Sequence, residues 1–217
     1  MRKKLVLLLG ALLLTSCNFL NPGGYWTDQQ AENMISFATQ RFDEVEEIVN
    51  KYDGVVTRKS DGWKNRFIQC HYVHCNVIYF TIQDISYTLI IDLVPNEIDE
   101  PEVHEIHLSA DSQTFANPDD CVFEEEQYAV MNDLLEYLDD YVSAKSFISL
   151  NQISDYMHVA KENYNDEKQG GTYEEKKIDK EDMVDFEGTF YYLKGSDSEL
   201  YYNAFHLNFS KCPDKFK

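Results

Sequence analysis

The chain has 217 residues, 27% of them charged and 43% hydrophobic, and its 39 acidic against 19 basic side chains give a net charge of −20. This length suits one good-sized domain or two small ones, and the charge excludes nucleic acid as a partner because both surfaces would be negative. A basic protein, a cationic peptide or divalent cations would be attracted to it, whereas solubility beside a negatively charged membrane would explain the charge without any partner.

The first seventeen residues have the pattern of a secretory signal. A basic head, MRKK, precedes an apolar run over residues 5–14, and the segment ends with LTSC at Cys17. The run is half as long as the ~20 residues that cross a bilayer, which argues against an uncleaved anchor. The ending LTSC resembles the lipobox of bacterial lipoproteins. That resemblance implies cleavage after residue 16 and a diacylglycerol thioether on Cys17, with palmitate as an acyl group; an ordinary cleaved signal with an incidental cysteine is the alternative.

Cleavage at this point divides the chain into a signal peptide, 1–16, a lipidated tether, 17–24, and a single folded domain, 25–217. Three of the 19 basic residues and no acidic residue would be removed, so 16 basic and 39 acidic residues remain and the net charge becomes −23. Two or three acyl chains hold a protein at a membrane almost permanently, because each buried methylene contributes ~0.8 kcal/mol. We therefore expect a membrane-anchored lipoprotein of the cell envelope that faces the periplasm or the cell exterior.

Hydrophobic spacing predicts one helix and then several strands in the first half of the chain. A capping-box pattern, Thr27 with Gln30, opens an apolar repeat at three- and four-residue steps that predicts a helix over 28–52. The repeat then shortens to two residues, which is typical of strands. Strands are predicted over 66–74, 76–82, 85–93 and 103–108, with a turn at Gln83 and Asp84 and an acidic loop over 95–101.

The second half returns to helical spacing and ends in a hairpin. Helices are predicted over 120–143 and, behind a capping-box pattern at Ser149 and Gln152, over 152–163. The segment 165–182 has one weak apolar residue, so we expect a mobile loop there. Strands over 185–193 and 199–209 form the closing hairpin.

The order of these elements predicts an α+β fold. An antiparallel β-sheet is packed by a long N-terminal helix and two later helices, and the chain ends in a C-terminal β-hairpin. The first half, a long helix followed by a strand meander, resembles cystatin-like folds in architecture.

Four tyrosines of the closing hairpin are the predicted binding residues. Centring the turn between residues 196 and 197 sets Tyr192 opposite Tyr201 and Tyr191 opposite Tyr202. One pair is expected to pack inward and the other to be exposed, where its rings would stack on a sugar or grip a peptide. Packing within the sheet is the alternative role.

Four cysteines follow Cys17, and an even number in an exported chain favours disulfides. The candidates are Cys70, Cys75, Cys121 and Cys212. Alternation along a regular strand puts Cys70 and Cys75 on opposite faces, so each is expected to pair with one of the other two, with Cys121 favoured for Cys70. Buried thiols are the alternative if the envelope is not oxidising.

Two groups of histidines have the residue types of a metal site but not its spacing, so no metal ligand is predicted from either group alone. The stretch CHYVHC, residues 70–75, has four metal-ligating side chains, but on a strand they alternate between faces and cannot close on one ion. His104 and His107 resemble the HExxH motif of zinc proteases but lie one residue too close together. A composite site of His71 and His107 would require their strands to be neighbours in the sheet.

The sequence predicts a binding protein rather than an enzyme. It contains no nucleophile elbow, no Ser-x-x-Lys motif in the mature chain and no glycine-rich phosphate loop, so no catalytic residue and no cofactor is predicted. We expect a lipid-anchored protein that binds a basic protein or peptide through its acidic face and the tyrosine hairpin, as an inhibitor or immunity-type protein would. The alternative is a zinc-dependent envelope enzyme or metal carrier that uses His71 and His107.

Overall fold

The computed structural model describes residues 27–66, 71–95, 100–112, 115, 125–180, 183–195 and 200–211. This part of the chain contains four helices and seven strands. The helices are α1 (Asp28–Lys51), α2 (Glu125–Val142), α3 (Ala144–Phe147) and α4 (Leu150–Glu162). The strands are β1 (Val55–Arg66), β2 (His71–Ile82), β3 (Ile85–Pro95), β4 (Pro101–Asp111), β5 (Gly170–Asp179), β6 (Val184–Lys194) and β7 (Tyr201–Lys211).

The strands form one antiparallel sheet in the order β1-β2-β3-β4-β7-β6-β5, which confirms the predicted α+β class. Consecutive strands are neighbours except that β4 pairs with β7, the last strand of the chain. The chain therefore builds two similar units, each a helix followed by an antiparallel meander: α1 with β1 to β4, and α4 with β5 to β7. The β4–β7 ladder joins both units into a continuous sheet.

Both predicted capping boxes are present. At the start of α1, the Thr27 backbone N–H donates to Gln30 Oε1 at 2.6 Å, and the Gln30 N–H donates to Thr27 Oγ1 at 3.1 Å. Ser149 and Gln152 make the same exchange at the start of α4. These bonds satisfy backbone donors that have no partner within the helix.

No helix in the described ranges combines the length and the apolar composition that a membrane crossing needs.

The predicted central hairpin is confirmed, with Ile82 paired to Ile85 and the turn at Gln83 and Asp84. The two turn residues have φ values of 50° and 62°, as in a type I′ turn, whose twist matches that of the flanking strands. Inward side chains of the hairpin then align: Phe80 stacks on Tyr87 with ring centroids 5.0 Å apart. This contact supports the register of β2 against β3 on the inner face of the sheet, the side that faces the helices.

The core lies between the helices and this inner face. Phe186, Phe190, Phe205 and Phe209 of β6 and β7 are fully buried there. Phe147 of the short α3 packs its ring 5.8 Å from Phe186 and 6.2 Å from Phe209. Burying one such aromatic side chain contributes roughly 1.5–3 kcal/mol. The helices therefore cover one side of the sheet. The alternate side chains of the strands lie on the other side, which we call the open face; Tyr79, Ser86 and His206 are exposed there, whereas Cys75, Val77, Asp92 and Glu105 are buried.

The first strand was not predicted, and the strand predicted over 66–74 has the wrong bounds, because residues 71–74 are the start of β2 and residues 67–70 lie outside the described residues. Arg66 instead ends β1, and β2 runs without interruption from His71 to Ile82. β1 is an edge strand of the sequence VVTRKSDGWKNR. Its many charged residues hide the two-residue repeat, because a strand at the edge of a sheet tolerates charge that a central strand does not.

The mobile loop predicted over 165–182 is also wrong, because most of that segment is β5, the opposite edge strand. β5 pairs with β6 along its whole length. Its Tyr173 stacks on Tyr156 of α4 with ring centroids 4.5 Å apart. A Cβ at Gly171 would lie 2.0 Å from the carbonyl oxygen of Ala160, so only glycine allows β5 to approach the end of α4 this closely.

The closing hairpin is present, but its register differs from the prediction by two residues. Tyr192 pairs with Asn203 and Tyr191 with Ala204, not with the two tyrosines. A shift of two residues keeps each side chain on its predicted face. Tyr192 and Tyr201 accordingly still stack, as diagonal neighbours, with ring centroids 5.7 Å apart.

Candidate binding groove

The helix layer contains an open groove of about 620 Å³ between α1 and α2. The two helices are antiparallel: Lys51 at the end of α1 contacts Asp133 in the first half of α2, whereas Phe37 contacts Tyr141 near the end of α2. Five carboxylates and two cations line the groove, an excess of three negative charges. The carboxylates are Glu44, Glu47, Asp133, Glu136 and Asp140, and the cations are Arg41 and Lys51.

One end of the groove is closed by a polar cluster on Asp133. Its Oδ2 accepts hydrogen bonds from Lys51 Nζ at 2.5 Å and from the Tyr52 hydroxyl at 2.8 Å. Burial alone would raise the pKa of Asp133, but these two bonds and the charge of Lys51 together lower it. Asp133 is therefore a fixed anion whose charge is already neutralised by Lys51.

The other end is closed by an aromatic cluster around Arg41. The Arg41 guanidinium carbon lies 4.7 Å from the ring centroid of Phe37 and 5.3 Å from that of Tyr141, and Nη2 lies 2.7 Å from Glu44 Oε1. Cation–π contacts of this kind attract the guanidinium to both rings, whose planes are 75° apart. Burial raises the pKa of the neighbouring Tyr137 well above its ordinary value, so its hydroxyl stays protonated.

Three carboxylates between these two ends are not neutralised by the groove's own cations. Glu47 and Asp140 are exposed and have no ion-pair partner within the described ranges. Glu136 lies 3.9 Å from Lys145, which projects from outside the groove, and both side chains are about half exposed or more. Because such a pair is weak, the middle of the groove keeps an excess of negative charge.

The four predicted tyrosines do not form one surface. Tyr192 and Tyr201 are on the inner face, where Tyr192 is only 2% exposed and packs its ring 5.6 Å from Tyr164. Tyr191 and Tyr202 are half-buried on the open face. A ligand on the acidic helix groove therefore cannot also contact the outer tyrosines, because the sheet lies between them.

The sheet order contradicts the condition for a composite metal site. His71 is on β2 and His107 on β4, with β3 between them. His107 pairs with Ile90 of β3, and Ile90 pairs with Val77 of β2. Val77 is six residues after His71, which is about 20 Å along the strand. The two histidines therefore cannot share an ion. His107 Nε2 instead lies 3.1 Å from Glu105 Oε1.

The remaining histidines and the cysteines do not add a metal centre in the described ranges. His104 Nδ1 lies 2.9 Å from the carbonyl oxygen of Lys211, and no group of three or more potential metal ligands occurs in this part of the chain. Cys75 is buried in β2, and no disulfide joins two described residues. The other four cysteines, Cys17, Cys70, Cys121 and Cys212, lie outside the described residues, so the disulfide pairings stay predictions.

Comparisons of the chain with protein-family models, with curated proteins and with solved structures return no match.

The groove itself was not identified from the sequence. Its walls come from residues 41–51 and 133–141, which are about ninety positions apart, and each appeared only as the solvent-facing side of an amphipathic helix. The acidic residues Asp139 and Asp140 were the available signal, but their partner wall on α1 could be found only from the fold.

Proposed function

We propose that this protein is a lipid-anchored, non-enzymatic cell-envelope protein that binds a basic protein or peptide in the groove between α1 and α2. The observation that supports this most is the excess of three carboxylates in an open groove whose two ends are already closed by internal ion pairs. A cationic side chain entering the middle of the groove would meet Glu47, Glu136 and Asp140. Opposite charge would also increase the rate of encounter.

The membrane anchor is a separate part of the proposal and rests on the sequence LTSC at Cys17. A tether of a few residues would keep the domain near the bilayer, since each extended residue spans at most ~3.6 Å. An inhibitor or immunity-type protein at that position would intercept a basic enzyme acting on the envelope. The net charge of −20 fits such a partner and not an anionic one.

Binding of fluorescent oligolysine and oligoarginine peptides tests the groove, with oligoglutamate as the negative control. We expect binding that weakens as salt rises, because screening shortens the reach of surface charge. The double variant Glu47→Lys with Asp140→Lys should weaken it roughly tenfold. Glu32→Lys makes the same kind of change at an exposed site on α1 that is not part of the groove, and should have little effect. Equal losses for Glu32→Lys and Glu47→Lys would exclude the groove as the binding site.

Fractionation of cells that produce Cys17→Ala tests the anchor independently. The variant should move from the membrane to the soluble fraction, while peptide binding by the purified protein stays unchanged. A protein that remains in the membrane fraction after Cys17→Ala, or that carries no lipid in mass spectrometry of the unsubstituted chain, would exclude lipid anchoring and leave the groove proposal standing.

A further inference from the structure

The open face of the sheet carries a continuous row of uncharged polar and aromatic side chains. Tyr79, Thr88, Ser109, His206 and Thr189 are direct cross-strand partners on β2, β3, β4, β7 and β6, in that order. We call these five residues the open-face row. Each is exposed or half-buried. Four strand spacings of about 4.8 Å make the row about 19 Å long.

Charge is confined to the margins of the row. At one end Arg58 of β1 lies over the Tyr79 ring, 5.9 Å from its centroid, and at the other end Thr189 pairs with Glu174 of β5. The parallel rows on either side add one carboxylate each, Asp111 and Glu187, in ten further positions of the same five strands. The fifteen positions of these three rows therefore hold two carboxylates.

Aromatic rings flank the row on β6 and β7. The Tyr191 ring contacts His206 edge to face, with ring centroids 5.2 Å apart. Tyr202 is the diagonal neighbour of Tyr191 across the β6–β7 ladder, on the same face. Ala204, which pairs with Tyr191, is on the same face and only 3% exposed, so neighbouring side chains already cover it. The tyrosines are therefore held by the sheet before any ligand arrives.

We propose that the open face binds a neutral carbohydrate chain, with Tyr191 and Tyr202 stacking on sugar rings and the open-face row supplying hydrogen bonds. A sugar has an apolar ring face and hydroxyl groups at its edges. Tyrosine rings can stack on the apolar ring face. Hydroxyl and imidazole groups, which both donate and accept hydrogen bonds, can bond to the sugar hydroxyl groups. This inference concerns a different face from the groove and does not depend on it.

Other ligand classes fit this surface less well. The centre of the row has no carboxylate for a basic protein, and the negative chain as a whole repels nucleic acids and anionic lipids. A second copy of the chain would avoid like-charge contact here, but the buried core of homodimer interfaces is more apolar than this row of hydroxyl and imidazole groups. A neutral, hydroxyl-rich ligand is the chemistry that remains.

The test uses the purified mature chain on an array of neutral oligosaccharides, followed by calorimetric titration with glucose and N-acetylglucosamine tetrasaccharides and with the best array ligand. We expect saturable binding that does not change with salt. Tyr191→Ala and Tyr202→Ala should each weaken it about threefold to tenfold. Ser109→Asp adds a charge in the middle of the row without removing a packed group and should reduce binding at least as much.

Two controls separate this site from the groove. Tyr141→Ala removes a half-buried tyrosine on the helix layer, and Glu47→Lys reverses a groove charge; neither should change carbohydrate affinity. Absence of any array ligand, or affinity that is the same in Ser109→Asp, would overturn the proposal. Sedimentation that shows a dimer lost in Ser109→Asp would also overturn it and assign the open face to a second copy of the chain.

Discussion

The two broad surfaces of this protein, the outer side of the helix layer and the open face of the sheet, differ in charge although the same core lies between them. The groove on the helix layer has five carboxylates against two cations, whereas the five-residue row across the centre of the open face has no charged residue. Acidic side chains on the solvent-exposed side of a helix point away from one another into solvent. Side chains on neighbouring strands are only about 4.5–5.5 Å apart at Cβ, where like charges destabilise a sheet.

This difference means that the net charge describes only part of the surface. A charge of −20 predicts that cations approach the helix layer, but it says nothing of the open face. The two faces are therefore expected to select different ligands, one by charge and one by shape and hydrogen bonding. Four substitution experiments test this difference between the two faces.

The largest effect is expected where the two faces of one strand are compared. Phe205 and His206 are consecutive on β7, but Phe205 is fully buried on the inner face and His206 is exposed on the open face. Phe205→Ala should lower the free energy of unfolding by about 3–5 kcal/mol, and His206→Ala by less than about 1 kcal/mol. Urea denaturation measures both. Similar losses would mean that the open face is packed against something in the folded protein.

A smaller effect is expected where the helix layer meets the edge strand. Gly171→Ala places a methyl group against the backbone of Ala160 and should cost about 1–3 kcal/mol. Gly170→Ala is the matched control, because its nearest atom, 2.7 Å away, is the flexible end of the Leu193 side chain. Thermal unfolding followed by circular dichroism compares them. Equal stability of the two variants would contradict the close contact between α4 and β5.

The ion pair at the end of the groove should contribute less and should depend on pH. Asp133→Asn should lower the free energy of unfolding at neutral pH by roughly 0.5–1 kcal/mol, since the pair is partly exposed. The pKa of Asp133 is lowered by folding, so its contribution is present above the ordinary value of 3.8 and is lost as the pH falls through the folded-state pKa.

Denaturation curves of Asp133→Asn and the unsubstituted chain should therefore converge in strong acid. Asp43→Asn removes an exposed carboxylate that is not part of the groove, and its curve serves as the reference for a simple change of net charge. A difference for Asp133→Asn that stays constant down to strong acid would show that its hydrogen bonds do not depend on the charge.

The smallest effect on stability is expected in the middle of the groove. Glu47→Lys and Asp140→Lys should each change the free energy of unfolding by no more than about 0.5 kcal/mol, because both side chains are exposed. A large loss of peptide binding together with a small change in stability would identify Glu47 and Asp140 as binding groups. A loss of several kcal/mol in either variant would make them structural instead.

Local signals in the sequence predicted the parts of the fold that depend on neighbours along the chain. Thr27 with Gln30 and Ser149 with Gln152 predicted the starts of two helices, the second of them two residues too late, and the alternation over 85–93 together with Gln83 and Asp84 predicted the central hairpin. Both edge strands were missed, because charges on both of their faces hide the two-residue repeat. Such strands form only because a long-range partner is available.

The candidate sites depend on long-range contacts to a greater degree. The tyrosine pairs kept their faces, but their register was wrong because the tip of the turn did not fix it. The metal hypothesis needed β2 and β4 to be neighbours, and no local pattern indicates that β3 separates them. The acidic groove combines two helices that are distant in sequence. The sequence thus shows which residue types could form a site, but not which of these residues the fold brings together.

One measurement tests directly whether the helix groove, and not the surface charge in general, binds a cationic ligand. Amide chemical shifts of the isotope-labelled mature chain are recorded while oligoarginine is added at low salt. Binding in the groove predicts shifts concentrated at residues 41–51 and 133–141, with the amides of residues 202–208 on β7 unchanged. Shifts spread evenly over the acidic surface, or centred on the open face of the sheet, would contradict it.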